Sequence, residues 1–251
     1  MSDPSPIEVS APVARPSRIG NFRSSAAQFL AALILMLFTA PFVNELKYGR
    51  AIDILLMTLV LAMGVLAVGR SRRTLVLALV LALPAVVTRW AGHFLPQLLP
   101  PWVHSVTALI FLAFVEYQLL HFIFRAPRVN SEVMCAGISG YLLLGILWMV
   151  AYRTVSFLNP IDPTHPDLNP PPFAFTVGVT TPHSLSQFEA YYFSFITLST
   201  VGYGDITPLS PGARTLAMLE AMTGTLYMAL LISRLVALYS SQTPESSGKK
   251  D

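Results

Sequence analysis

Apolar positions run in long blocks along this chain, separated by short polar breaks. Six blocks have the length of a membrane crossing: approximately Ala26–Val43, Ala51–Gly69, Thr74–Trp90, Ser105–Phe124, Met134–Tyr152 and Gly212–Tyr239. About 18 or more apolar residues in helical form reach across a hydrocarbon core of roughly 30 Å. The pattern therefore predicts an all-α integral membrane protein with six transmembrane helices. Residues 1–24 are polar and proline-bearing and read as a disordered cytoplasmic leader. A cleaved signal peptide is the rival reading, but such peptides have a shorter charged region and an apolar core of only about 7–15 residues.

The connection between the fifth and sixth blocks breaks this rhythm. It opens with the proline-rich run NPIDPTHPDLNPPPF, expected to be an irregular extended loop. FEAYYFSFITLS follows at Phe188–Ser199, apolar and aromatic but only 12 residues long. That is too short to span and too apolar for an ordinary loop, so a re-entrant helix is predicted. The next residues, TVGYGD, would then lie at membrane depth as non-helical backbone. Such backbone is tolerated only where it is buried in protein or lines a water-filled path.

Composition agrees with a membrane chain, at 54% hydrophobic and 12% charged residues. The net charge of +3 is small and its carriers are scattered, which gives no nucleic-acid footprint. Cys135 stands alone, so neither an intramolecular disulfide nor a cysteine metal cluster is available. The basic residues orient the chain. With the N-terminus inside, the leader, Gly69–Arg73, Arg125–Glu132 and the tail collect Arg15, Arg18, Arg23, Arg70, Arg72, Arg73, Arg125, Arg128, Lys249 and Lys250. The other side keeps Lys47, Arg50, Arg89, Arg153 and Arg214, and Arg234 falls near the inner end of the last span. The positive-inside rule thus predicts both termini cytoplasmic in a cell (plasma or inner) membrane. Trp90 and Trp102 flank an outer connection, where interfacial aromatics belong.

The run TVGYG, Thr200 to Gly204, is the sequence of potassium-channel selectivity filters, and its reading rests on that resemblance. A dehydrated cation needs oxygens on all sides, and an extended strand supplies one carbonyl per residue. Turning successive carbonyls the same way forces residues to φ > 0, which glycine adopts most readily. Gly202 and Gly204 would alternate with Val201 and Tyr203, whose side chains would pack behind the strand. The competing reading is a plain turn, since Gly, Asp and Pro mark turns. One strand cannot encircle an ion, and cyclic symmetry would close the ring with four copies of the chain.

Residues Met134–Tyr239, about 106 of 251, resemble the pore domain of tetrameric potassium channels, and YYFSFITLSTVGYGDITPLSPGAR is most similar to small bacterial members. The resemblance divides the chain into a leader (1–24), a four-helix transmembrane region (25–130), a pore domain (131–239) and a cytoplasmic tail (240–251). It implies a homotetramer passing K⁺ passively, with Thr200, Val201, Gly202, Tyr203 and Gly204 as ion-coordinating residues. No cofactor is expected; K⁺ is the permeant ion, held at Thr200, Val201, Gly202 and Tyr203. Asp205 would stand at the outer mouth, as a filter clamp or as a turn-stabilising side chain. Some relatives carry a carboxylate four residues before the filter threonine, where this chain has Ile196, and many carry two tryptophans where it has Tyr192 and Phe193. Tyr192 could still offer its hydroxyl to the structure around the filter. Gly224 stands where related inner helices bend, with close helix packing as its other reading. The resemblance and helical spacing turn Thr225, Met228 and Ile232 towards an inner cavity.

Two carboxylates, Glu220 and Glu116, fall well inside predicted spans. Intramembrane carboxylates are costly and are functional candidates by default. Glu220 could bond to pore-helix hydroxyls or act in gating, whereas Glu116 has no obvious partner; a protonated structural group is open for both. Asp53 and Arg89 could pair near the outer surface, where an exposed pair contributes little. His93, His104, His121, His165 and His183 lack metal-ligand spacing and read chiefly as solvated loop residues. The fourth span carries no Lys or Arg, so a conventional voltage sensor is not expected there. The short polar tail cannot hold a regulatory domain, so any such regulator would be a separate protein. Enzymatic activity is not expected, because no catalytic constellation stands out. A weakly selective cation channel, a K⁺ transporter subunit and a non-conducting sensor remain the alternatives.

Overall fold

A computed structural model describes residues 23–43, 46–69, 71–95, 97, 99–128, 130–159, 171–175 and 184–240. Most of the predicted leader, the proline-rich run at 160–170, His165, His183 and the tail at 241–251 lie outside the described residues. The elements in chain order are α1 (Arg23–Val43), α2 (Gly49–Val68), α3 (Arg72–Phe94), α4 (Pro101–Arg125), α5 (Ser131–Leu158), β1 (Phe173–Phe175), α6 (Gln187–Leu198), β2 (Ile206–Pro208) and α7 (Pro211–Ser240).

Five of these helices, α2, α3, α4, α5 and α7, are long and apolar enough to cross a membrane by length and composition. The apolar stretch of α1, Ala26–Phe42, is shorter. Local chemistry fixes several helix starts. The Ser71 hydroxyl accepts from the Thr74 amide and the Thr74 hydroxyl accepts from the Ser71 amide, a reciprocal cap that opens α3. The Asn130 side chain accepts from the Val133 amide at the head of α5. Pro101 takes the first position of α4, where a missing N–H costs nothing. Within α3, Pro84 removes one helical donor, and the Thr88 hydroxyl donates to the Pro84 carbonyl at 2.7 Å.

The helices α1 to α5 pack as a bundle, with α4 against α5 and α3, and α1 against α2 and α5. Phe29, Leu33, Met57, Leu61, Phe111, Leu112, Leu143 and Ile146 form its buried interior. Large apolar side chains such as Leu79, Val80 and Leu83 of α3 stand exposed, as expected of a lipid-facing surface rather than a watery one. The helices α6 and α7 pack on α5 and on each other.

The described residues are mostly helical, as the all-α membrane class expects, with one short pair besides: β1 and β2 pair antiparallel, Phe173 opposite Pro208 and Phe175 opposite Ile206. Two helix ends differ from the approximate bounds expected. Helix α4 begins at Pro101 rather than Ser105, because proline suits a helix start. Helix α5 runs past Tyr152 to Leu158, because Arg153, which ends the apolar run in sequence, finds a hydrogen-bond partner in Gln187.

Candidate functional site

The half-length helix α6 is built to end abruptly. Its first turn is closed by Ser186 and Glu189: the Ser186 hydroxyl accepts from the Glu189 amide at 3.2 Å, and the Glu189 carboxylate accepts from the Ser186 amide at 2.7 Å. Ala190, Tyr191, Phe193, Ser194 and Leu198 form its buried face. At its C-terminus, carbonyls that would otherwise lack partners receive the amides of the following segment. The Ser199 amide donates to Phe195 at 3.1 Å, and the Thr200 amide to Thr197 at 2.9 Å. Val201 and Gly202 both donate to the Ile196 carbonyl, at 2.9 and 3.2 Å. The amide edge of the segment is thereby turned back onto the helix. Among the described residues no donor reaches the carbonyls of Thr200, Val201, Gly202 and Tyr203.

Backbone angles fit this arrangement. Gly202 and Gly204 sit at φ +51° and +81°, and a Cβ on either would meet open space, so the requirement for glycine is conformational. Thr200 also has positive φ, at +59°. A β-branched residue there is a true outlier, with a cost of about 1–3 kcal/mol that the surrounding hydrogen bonds must offset. The side chains of Val201 and Tyr203 are exposed in the single chain.

Asp205 makes two hydrogen bonds, one to each of its neighbouring elements. One carboxylate oxygen accepts from the Tyr192 hydroxyl at 2.7 Å, and the other accepts from the Ile206 amide at 3.1 Å. The first ties the strand's far end to α6; the second shapes the turn into β2. Pairing of β2 with β1, extended by the Leu209 amide donating to Pro172, anchors this end to the long connection.

Behind the segment lies a buried carboxylate with two hydroxyls. Glu220 of α7 is fully buried, with the Tyr152 hydroxyl 2.5 Å from one oxygen and the Ser194 hydroxyl 2.5 Å from the other. Ser194 also lies 2.7 Å from the Gly145 carbonyl, and its single proton serves one acceptor at a time. The Tyr152 ring is held edge-on by Phe173 and Phe193 at centroid distances of 5.8 and 4.9 Å. One cluster therefore joins α5, α6, α7 and β1.

Gly224 packs directly on α6: a Cβ there would lie 2.4 Å from the Leu198 carbonyl oxygen. Thr225, Met228 and Ile232 are exposed in the single chain. Glu116 is buried far from the TVGYG strand, with no partner for either oxygen among the described residues, beside a cavity of about 230 Å³ that Tyr227 and Leu230 also line.

The Asp53–Arg89 pair forms, but it is not the exposed pair expected, since these side chains are only 20% and 13% exposed. Nor are His93, His104 and His121 loop residues: they sit on α3 and α4, with His104 edge-on to Phe157 and His121 stacked on Tyr117. Among the described residues, no group of His, Cys, Asp and Glu is placed to hold a metal ion. Sequence reading missed Tyr152, Gln187 and Arg153 as network residues. It also missed Arg234, which donates to the Phe124 and Ala126 carbonyls at the end of α4, both at 2.8 Å. The one available signal was a polar side chain inside or at the end of an apolar run, which marks a need for a partner without naming it.

Five helices of membrane-crossing length and apolarity point to a multi-pass membrane protein. The ion channel family model matches residues 172–241, from just before β1 through α7. The chain is 41% identical over 49 residues to two-pore potassium channel 4 of Arabidopsis thaliana, covering 20% of this chain and 17% of that protein. It is 40% identical over 55 residues to the inward rectifier potassium channel Kirbac3.1 of Paramagnetospirillum magnetotacticum, covering 22% and 19%. Two pore potassium channel c of Oryza sativa subsp. japonica matches at 35% over 97 residues, covering 39% and 17%. The chain thus spans less than a fifth of the length of each of these relatives. No solved structure matches it. The matched segment is thus similar to ion channel sequences, and the relatives named here are potassium channels.

Proposed function

We propose that this chain forms a K⁺-selective channel by assembling four copies around a common axis. The observation that carries the reading is the strand after α6, with its amides tied back to the helix, its glycines at positive φ and, among the described residues, no donor at the carbonyls of Thr200 to Tyr203. A fourfold ring of such strands offers stacked oxygens to a dehydrated cation. Thr200, Val201, Gly202, Tyr203 and Gly204 supply those oxygens, with the Thr200 hydroxyl at one end and Asp205 at the outer mouth. The exposed Val201 and Tyr203 side chains have their packing partners in a neighbouring copy, which ties filter formation to assembly.

In this reading all six long helices cross the membrane, both termini are cytoplasmic and α6 is the re-entrant pore helix. Residues 131–239 make the pore domain and 25–130 the peripheral four-helix region, with leader and tail at 1–24 and 240–251. Thr225, Met228 and Ile232 face the inner cavity. Gly224 is primarily the contact that lets α7 reach the end of the pore helix, given the clash any Cβ would make there. Glu220 clamps the pore helix from behind. Glu116 borders a cavity that Tyr227 and Leu230 of α7 also line and is a protonated structural group.

Thallium flux into proteoliposomes tests this reading. Full-length protein should carry thallium down its gradient, and Gly202→Ala should not, because alanine at φ +51° is strained by roughly 1–2 kcal/mol per subunit. Equal flux through wild type and variant would exclude the strand as the path.

A further inference from the structure

A second polar cluster lies away from the TVGYG strand, where the start of α6 meets the four-helix region. Gln187, the first residue of α6, donates to Asp53 of α2 and accepts from Arg153 of α5. Asp53 also holds Arg89 of α3. These residues border a cavity of about 280 Å³ that Arg50 and His104 also line. Among the described residues, three guanidinium groups thus face a single carboxylate, and that carboxylate is already committed to Arg89 and Gln187.

Donors remain unused in the cavity walls. The Nε atoms of Arg89 and Arg153 are buried and have no partner among the described residues, and the same holds for His93 Nδ1. A buried guanidinium N–H left without an acceptor is costly, and an anion would supply that acceptor. Arg50, Arg89 and Arg153 approach from three different helices. A planar carboxylate is served by a single guanidinium fork, whereas a tetrahedral oxyanion offers acceptors to several at once.

We propose that this cavity is an anion site that takes a phosphate group, either as inorganic phosphate or as the headgroup of an anionic lipid. Bound phosphate completes the hydrogen bonding of Arg89 and Arg153 and draws Arg50 inward from its exposed position. Because Gln187 bridges Asp53 and Arg153, an occupied site fastens α6 to the four-helix region. The inference concerns binding alone and stands independently of ion conduction.

The test uses full-length protein purified in neutral detergent, with its thermal midpoint followed under two probes. One is inorganic phosphate, compared with chloride at matched ionic strength; the other is phosphatidylglycerol, compared with phosphatidylcholine. Either phosphate probe at a hundredfold excess over its Kd should raise the midpoint by roughly 5 °C or more. A response to inorganic phosphate identifies the free anion as ligand; a response to phosphatidylglycerol alone identifies the lipid headgroup. Arg50→Gln, at an exposed position, should raise the half-saturating concentration by about tenfold while the unliganded midpoint stays unchanged. Native mass spectrometry should show the bound phosphate or lipid lost in parallel from Arg153→Gln. No midpoint response to either probe would overturn the proposal, and so would an unchanged response in both variants, which locates the anion elsewhere.

Discussion

Replacing Tyr152 with phenylalanine removes one oxygen from the centre of the protein and leaves the ring in place. That ring is gripped by Phe173 and Phe193, so the variant keeps its packing and loses only the hydrogen bond to Glu220. Two magnitudes compete for the cost. Hydrogen bonds to charged groups in soluble proteins contribute about 1.5–3 kcal/mol. Interhelical ones in membrane proteins average about 0.6 kcal/mol and reach about 1.7, because the unfolded chain in the membrane finds other partners. Glu220 is fully buried, and its other oxygen is already taken up by Ser194. Relaxation therefore supplies no replacement donor, and the cost falls at the upper end of the membrane scale, about 1.5 kcal/mol. For a chain of this size that lowers the thermal midpoint by roughly 3–6 °C. Scanning fluorimetry of purified protein measures it directly. In a Glu220→Leu background the same change should cost under about 0.5 kcal/mol, because both partners are then apolar. A midpoint for Tyr152→Phe within 1 °C of wild type (about 0.3 kcal/mol), or an equal cost in both backgrounds, would refute the account of Glu220 as a clamp.

Two further substitutions separate local roles. Tyr192→Phe should cost about 0.5–1.5 kcal/mol by freeing Asp205, and in bilayer recordings it should speed the decay of open probability while the reversal potential holds. Gly224→Ala should destabilise by about 1–3 kcal/mol in thermal unfolding, since its Cβ meets the Leu198 carbonyl, whereas Gly212→Ala, which meets open space, should stay within about 0.5 kcal/mol.

The helices and the strand after α6 were legible in sequence for a physical reason. Apolar block length is set by bilayer thickness, and the paired glycines of TVGYG are set by backbone angle, so both constraints act within a short window. The partner of Glu220 was legible only as a class. A hydroxyl from the short helix α6 was expected and Ser194 is one, but Tyr152 lies 68 positions away on α5 and entered no local pattern. The β1–β2 pairing was hidden similarly: Phe173–Phe175 is three residues long, follows a proline-rich run, and meets its partner across the whole of α6. Arg153 misled because a charge at the end of an apolar run looks like a helix end. Its acceptor, Gln187, is 34 positions distant, and with that bond made α5 continues to Leu158. Asp53 and Arg89 were matched correctly, yet their burial depends on Gln187 of α6 and could not be read from the pair alone.

Whether the strand from Thr200 to Gly204 selects K⁺ is decided by the reversal potential of purified protein in planar bilayers under opposed K⁺ and Na⁺ gradients. Wild type should reverse near the K⁺ equilibrium potential, and Gly202→Ala should lose that discrimination. Robust wild-type current reversing near zero would contradict that selection and make the pore a weakly selective cation path.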